Sequence, residues 1–143
     1  MLLRGIEDPS PDRALSGTRW LSGERSRLGP ATIRAMALFE YRKYEAVPGK
    51  LPALHRRFET VTLGYFNKHG IGVVGFWDAV TGTSNELHYI LRYDDMAHRD
   101  KAWNAFQADE GWARDRAETE REGPLVASVH NQFWRATTYS PLS

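Results

Sequence analysis

The chain has 143 residues, no Cys and a formal net charge of +1, with 41% hydrophobic and 26% charged residues. This length predicts one domain, the composition is typical of a globular protein, and the small charge gives no general basis for binding nucleic acid or anionic membranes. The lack of Cys excludes disulfides, thiolate nucleophiles and Cys-ligated metals, and no run approaches the roughly 18 apolar residues that a membrane span requires.

Residues 1–35 differ from the rest of the chain, because Pro, Gly and Arg recur there without an amphipathic period. We predict a disordered or weakly ordered extension before a folded domain of residues 36–143. Three interpretations remain: a misassigned start upstream of a true start at Met36, a genuine flexible extension, or a transit peptide, which four acidic residues oppose. The segment also lacks the sustained apolar run of a secretory signal. Together with the lack of Cys, this favours a cytoplasmic location.

The folded domain is predicted to begin with a strand over residues 38–44, where aromatic residues alternate with others. Pro48 and Gly49 predict a turn, and a helix is expected over about residues 50–69, where apolar residues recur at helical spacing. The residues of this apolar stripe are Leu51, Leu54, Phe58, Val61 and Tyr65. Gly70 suits a left-handed C-cap after the helix.

A hairpin and another helix are predicted next. Branched and aromatic residues indicate a strand over residues 71–80, turn-forming residues 81–85 follow, and a further strand is expected over residues 86–93. Asp94 or Asp95 can cap the amino end of the following helix. The residues that this helix should direct inward are Met96, Ala102, Trp103 and Phe106.

A second helical piece and a strand complete the chain. A break near Gly111 separates the preceding helix from a piece that ends at about Glu122, and a final strand is expected over residues 129–138. The resulting order is β-α-β-β-α-β. It predicts an α+β, ferredoxin-like fold, in which both helical segments lie on one face of an antiparallel sheet.

Alternation within the strands divides the sheet into two faces, although the second strand fits either phase. The set expected beneath the helices is Phe39, Tyr41, Leu87, Tyr89, Leu91, Val129 and Phe133. The opposite set is Glu40, Arg42, Tyr44, His88, Ile90, Arg92, His130, Gln132 and Trp134. This second face is too apolar to remain in water, so we expect a homodimer in which two sheets face each other and close into a dimeric α+β barrel.

A series of short motifs runs through the folded part. They are Phe39-Glu-Tyr-Arg-Lys-Tyr44, Pro48-Gly-Lys50, Gly75-Phe-Trp77, Asn85-Glu86, Trp103-x-x-Phe106-x-x-Asp109, Leu125-Val126, Phe133 and Thr137-x-Tyr139-Ser140-Pro141. In this order they resemble the NIPSNAP family over about residues 37–142. Two departures are Asp109-Glu-Gly-Trp112, where the family often has Asp-Pro-Glu-Trp, and Thr138, where it often has Asp. The resemblance implies a dimeric α+β barrel, from a superfamily that includes small monooxygenases, isomerases and haem-binding enzymes.

Two sets of residues are candidates for a functional site. The catalytic candidates are His88, His130, Arg42, Arg92 and Glu40, which alternation places together on the enclosed face, where two His among fixed charges suit acid–base chemistry. The alternative is a buried polar network that sets the dimer register. The weak ligand-binding candidates, between sheet and helices, are Tyr41, Tyr89, Trp103 and Phe106. Their alternative role is a filled aromatic core.

No spaced His pair, nucleotide-binding loop or nucleophile elbow is present, so we predict neither a metal nor a cofactor. We expect a homodimeric protein that binds a small apolar or aromatic ligand or acts as an assembly module. The alternative function is that of a cofactor-independent monooxygenase or isomerase. The sequence leaves open whether the protein is an enzyme.

Overall fold

The computed structural model describes residues 36–143, and the expectations for residues 1–35 lie outside this range. The described part has the predicted order β-α-β-β-α-β, with each helical layer divided into pieces. The strands are β1 Leu38–Ala46, β2 Gly72–Asp78, β3 Glu86–Tyr93 and β4 Val126–Arg135. The helices are α1 Leu51–Arg57, α2 Leu63–Lys68, α3 Met96–Ala108 and α4 Glu110–Thr119.

The four strands form one antiparallel sheet in the order β2-β3-β1-β4. The helices cover one face of it, so the predicted ferredoxin-like fold is confirmed. The closure of two such sheets into a barrel stays a prediction. Within residues 36–143, no helix combines the length and apolar character needed to cross a bilayer.

A π-helical segment, Phe58–Thr62, joins α1 to α2, and the sequence pattern did not predict it. The backbone N–H of Leu63 donates to the Phe58 carbonyl, five residues earlier. The buried side chains follow a spacing of four, which drifts about 40° per step in an ordinary α-helix of 3.6 residues per turn. The wider π turn offsets this drift and keeps them on one face. These side chains are Leu54, Phe58, Thr62 and Phe66.

The two faces of β1 are the reverse of the predicted ones. Glu40 pairs with Leu91 and Arg42 pairs with Tyr89, and residues directly opposite each other share a face. Glu40 and Arg42 therefore lie beneath the helices, whereas Phe39 and Tyr41 lie on the opposite face. The prediction for β1 was wrong because it placed the more hydrophobic set of residues, Phe39 and Tyr41, beneath the helices. Glu40 and Arg42 can be buried there instead because their charges neutralise each other. The phases predicted for β3 and β4 are confirmed.

The face of the sheet away from the helices, here called the open face, carries aromatic residues. Tyr41 and Trp134 stack with ring centroids 4.9 Å apart, and Trp77 is 49% exposed. Residues 136–143 fold back toward this face, where Arg92 Nη2 donates to the Ser143 carbonyl at 3.2 Å. The open face is therefore an apolar surface partly bordered by the carboxyl-terminal segment.

Candidate ligand pocket

A pocket of about 330 Å³ lies between the helices and the β1–β4 half of the sheet. Val129 of β4 lines it and is 46% exposed, which places an opening beside this edge strand. The main aromatic wall residues are Phe58, Phe66, Trp103, Phe106 and Trp112. The main polar wall residues are Arg42, Arg57, Thr62 and Arg116. The pocket is thus an aromatic slot with a strongly basic side.

Arg42 is buried at the base of the pocket and held by contacts in several directions. Its Nε donates to the Tyr89 hydroxyl at 2.8 Å, and its Nη1 donates to Glu40 Oε1 at 2.7 Å. Its Nη2 lies 3.4 Å from the Tyr44 hydroxyl, and the guanidinium carbon lies 4.3 Å from the centroid of the Trp103 ring. These contacts fix the plane of the guanidinium, with Trp103 stacked on it.

Glu40 is the carboxylate that compensates Arg42. It is fully buried, and it also accepts hydrogen bonds from Asn131 at 2.9 Å and from Arg99 at 3.3 Å. Burial favours its neutral form, but the charge of Arg42 and the hydrogen bonds outweigh burial and hold the pKa of Glu40 below its ordinary value. Glu40 is therefore ionised at neutral pH and forms part of the support behind the pocket.

Arg57, at the end of α1, and Thr62, at the end of the π segment, lie on the helical side of the pocket. Arg57 is 5% exposed and Thr62 is 3% exposed. Arg57 Nη1 donates to Glu120 Oε1 of the segment after α4 at 2.8 Å, which fixes the guanidinium. Within residues 36–143, neither Arg57 Nε nor Thr62 Oγ1 has a hydrogen-bond partner. Two buried donors at one wall of the pocket thus lack an acceptor.

The five catalytic candidates are not brought together. Glu40 and Arg42 lie beneath the helices, whereas His88, Arg92 and His130 lie on the open face, because the faces of β1 are the reverse of the predicted ones. His88 contacts the Tyr41 hydroxyl at 2.8 Å through Nδ1 and Glu86 at 3.2 Å through Nε2. His130 is exposed, and Lys43 stands opposite both His residues. Within residues 36–143, no group of three or more His, Asp or Glu is placed to hold a metal ion.

The four ligand-binding candidates are also divided. Trp103 and Phe106 line the pocket, as expected, with ring centroids 5.2 Å apart. Tyr89 lies behind Arg42, where burial raises the pKa of its phenol well above the ordinary value. Tyr41 lies on the open face, so the expectation that it lines the space under the helices is wrong. A binding role for Trp103 and Phe106 stays a prediction.

Sequence reasoning missed Arg57, Thr62, Trp112 and Arg116 as pocket residues. The predicted apolar face of the helix contains Val61 and Tyr65 because it assumes α-helical spacing, and Thr62 is not on that face. A spacing of four from Leu54 would have identified Thr62. No signal in the sequence distinguishes Arg57 from Arg56, its exposed neighbour.

Comparison with known proteins places this fold among solved structures. An uncharacterized NIPSNAP domain protein from Burkholderia xenovorans is 23% identical, with a TM-score of 0.65 over 73% of this chain and 98% of that chain. A NIPSNAP family protein of unknown function from Agrobacterium tumefaciens is 22% identical, with a TM-score of 0.68 over 78% of this chain and 97% of that chain. No curated protein matches the sequence. The NIPSNAP family model matches residues 39–141, which is most of the chain, and the protein therefore belongs to the NIPSNAP family.

Proposed function

We propose that this NIPSNAP domain binds a small, partly apolar molecule in the pocket between sheet and helices, and that it does so as a homodimer in the cytoplasm. The pocket is the observation that carries the proposal. Its volume of about 330 Å³ lies within the range of small-molecule sites, and an aromatic wall faces a few fixed polar groups, as is usual in such sites.

The fixed position of Arg42 supports binding at this place. A guanidinium held by Glu40, Tyr89 and Trp103 cannot turn away from the pocket without losing several contacts. A side chain that is already ordered loses little further entropy when a ligand binds to it. The pocket therefore presents its polar anchor in a preorganised state.

The open face supports the homodimer. Trp77 and Trp134 are 49% and 41% exposed on it, and Ile90 and Phe39 border a second cavity of about 390 Å³ on the same face. Exposure of an apolar face of this kind to water is unfavourable. A second copy of the chain can cover it, because in a two-fold dimer the same face of each chain packs against the other. The occupant that we propose for this face is therefore an identical chain.

Catalysis as a monooxygenase or isomerase is the alternative. Proton transfer at neutral pH requires a group whose pKa lies near 7. The ionisable side chains lining the described pocket are Arg42, Tyr44, Arg57 and Arg116, and none of the lining residues is a His, Asp or Glu, the side chains that most often act as general bases. These groups suit the binding of a ligand better than the abstraction of a proton, so we place binding ahead of catalysis.

Native mass spectrometry of freshly purified full-length protein tests both parts of the proposal. We expect a dimer of the chain, together with a retained small molecule that is released on denaturation. The matched variant is Val129→Trp, which adds bulk at the half-exposed edge of the pocket and should abolish retention of the molecule. Val80→Trp is the control, because Val80 is 98% exposed in a loop and lies outside the pocket lining.

The two parts can fail separately. A monomer that retains a small molecule contradicts the homodimer, and a dimer whose retained molecule survives Val129→Trp contradicts the location of the pocket. Conversion of the retained molecule during incubation with the protein would favour the enzymatic alternative.

A further inference from the structure

The two unpartnered donors at the pocket belong to Arg57 and Thr62, which lie just before and at the end of the π segment Phe58–Thr62. A helical Thr commonly donates its hydroxyl to the carbonyl four residues earlier, and Thr60 does so, to Arg56 at 2.7 Å. The Thr62 hydroxyl makes no such bond and has no partner among residues 36–143, while the Phe58 carbonyl accepts the backbone N–H of Leu63 in the π turn. The same helix therefore carries one satisfied exposed Thr and one unsatisfied buried Thr.

Arg57 adds a second donor beside Thr62. Its bond to Glu120 occupies Nη1 and leaves Nε without an acceptor among residues 36–143. Leaving buried donors unpaired costs free energy, and functional sites are where such groups persist, because a ligand supplies the missing acceptor. Arg57 Nε can only donate, and the Thr62 hydroxyl can donate as well, so an oxygen-rich ligand group suits this wall.

The charge around the pocket favours an anion over a neutral acceptor. Three guanidinium groups line the pocket, from Arg42, Arg57 and Arg116. The carboxylates that pair with them belong to Glu40 and Glu120, and no carboxylate is among the described wall residues. A guanidinium binds a carboxylate through parallel, charge-assisted hydrogen bonds, which are stronger than bonds to a neutral oxygen.

The remaining wall favours a flat apolar body. The Phe106 and Trp112 rings lie 4.6 Å apart, and Trp103 completes an aromatic surface next to Arg42. We propose that the ligand is a small aromatic or otherwise flat carboxylic acid, with its carboxylate on Arg57 and Thr62 and its flat body against Trp103 and Trp112. Both donor atoms are buried, so the proposed binding includes a small rotation of Thr62 and Arg57 toward the ligand.

This inference rests on the proposed ligand-binding function, and a matched pair of probes separates the two. The probes are 2-naphthoate and 2-naphthamide, which share a shape and differ in charge. Titration of the ¹⁵N-labelled full-length protein follows the indole N–H signals of Trp103 and Trp112. We expect the acid to bind at least tenfold more tightly than the amide. A charge-assisted hydrogen bond is more favourable in free energy than a neutral one by an amount equivalent to about a tenfold change in affinity.

Variants locate the carboxylate. Arg57→Met should reduce the affinity for the acid to that for the amide, whereas Arg114→Met, in an exposed pair with Asp115, should change neither. Thr62→Val should weaken acid binding severalfold, without lowering the melting temperature, because the lost hydroxyl has no partner among the described residues. Thr60→Val is its matched control and should leave binding unchanged.

Each outcome decides one of the two proposals. Equal affinities for acid and amide, unaffected by Arg57→Met and Thr62→Val, would overturn the carboxylate and leave binding in the pocket intact. That result would assign the two donors to water. If neither probe shifts the Trp103 and Trp112 signals, the pocket itself is rejected as a site for flat ligands. If Arg57→Met fails to fold, the acid-to-amide ratio and Thr62→Val still decide.

Discussion

At the scale of single residues, the buried pair of Glu40 and Arg42 departs most from what the sequence suggests. Buried charges are retained when they are paired and hydrogen-bonded, and here Asn131, Arg99 and Tyr89 complete the set. The sequence predicted the two residues on one face of β1, but on the face expected to meet the second copy of the chain rather than the face beneath the helices. Only the pairing of β1 with β3 decides the face.

Glu40→Gln is predicted to destabilise the protein by about 3 kcal/mol, because it leaves the buried Arg42 charge without its carboxylate. Urea unfolding followed by Trp fluorescence measures the change at a fixed protein concentration. Glu45→Gln is the control, since Glu45 is exposed and bonded only to Ser128 among the described side chains. A loss for Glu40→Gln no larger than that of the control would show that Arg42 is solvated or otherwise compensated.

At the scale of elements, Asp109 connects the end of α2 to the start of α4. Its Oδ2 contacts Lys68 and His69, each at 2.7 Å, and its Oδ1 accepts from the backbone N–H groups of Gly111 and Trp112. The hydrogen bond from Lys68, followed by that from His69, holds the pKa of Asp109 well below its ordinary value. One carboxylate thus caps α4 and joins two helical layers.

This lowered pKa gives a pH dependence with a definite sign. A carboxylate whose pKa is lower in the folded state stabilises the fold above its unfolded value of about 3.9, and the stabilisation is lost as the pH falls through the folded value. Asp109→Asn should therefore be less stable than the original protein at pH 7, and this deficit should shrink as the pH falls below about 4. Urea unfolding across pH 3–7 measures it.

Asp100→Asn is the control for this prediction, because the Asp100 carboxylate is 56% exposed and pairs with Arg99 at the surface. It should show little change at any pH. A deficit of Asp109→Asn that stays constant over the pH range would mean that the connection between the helices does not depend on the charge of Asp109.

The helices and strands were largely predictable from the sequence, whereas only some of the residues lining the pocket were. Turn residues such as Gly49, Gly70 and Gly82, all with positive φ, delimit the elements locally, so their order followed from the sequence. Trp103 and Phe106 followed from helical spacing. Thr62 did not, since the expected spacing of 3.6 residues per turn assumes a regular α-helix, and the π turn violates that assumption.

At the scale of the whole molecule, the open face is expected to set the oligomeric state. Trp134→Asp places a charge in the stacked pair with Tyr41 and should convert the proposed homodimer to a monomer in multi-angle light scattering. Burying an unpaired charge at an apolar interface is unfavourable, whereas the same charge in water is not. Val80→Asp, at a position 98% exposed in the β2–β3 loop, should leave the mass unchanged.

A dimer that persists in Trp134→Asp would locate the interface elsewhere on the molecule, and a monomeric original protein would remove the basis for a barrel. The pocket under the helices lies on the other side of the sheet from Trp134. Ligand binding and self-association can therefore be measured independently, and Trp134→Asp should retain its affinity for 2-naphthoate.

The hydrogen bond between Arg92 and the Ser143 carbonyl has a practical consequence for handling the protein. Any purification tag or reporter fused after Ser143 would emerge beside the surface proposed for self-association and would compete with the second copy for space. A tag placed before β1 does not extend the chain from Ser143. For the proposed homodimer, mass measurements on protein with a tag fused after Ser143 are expected to underestimate self-association.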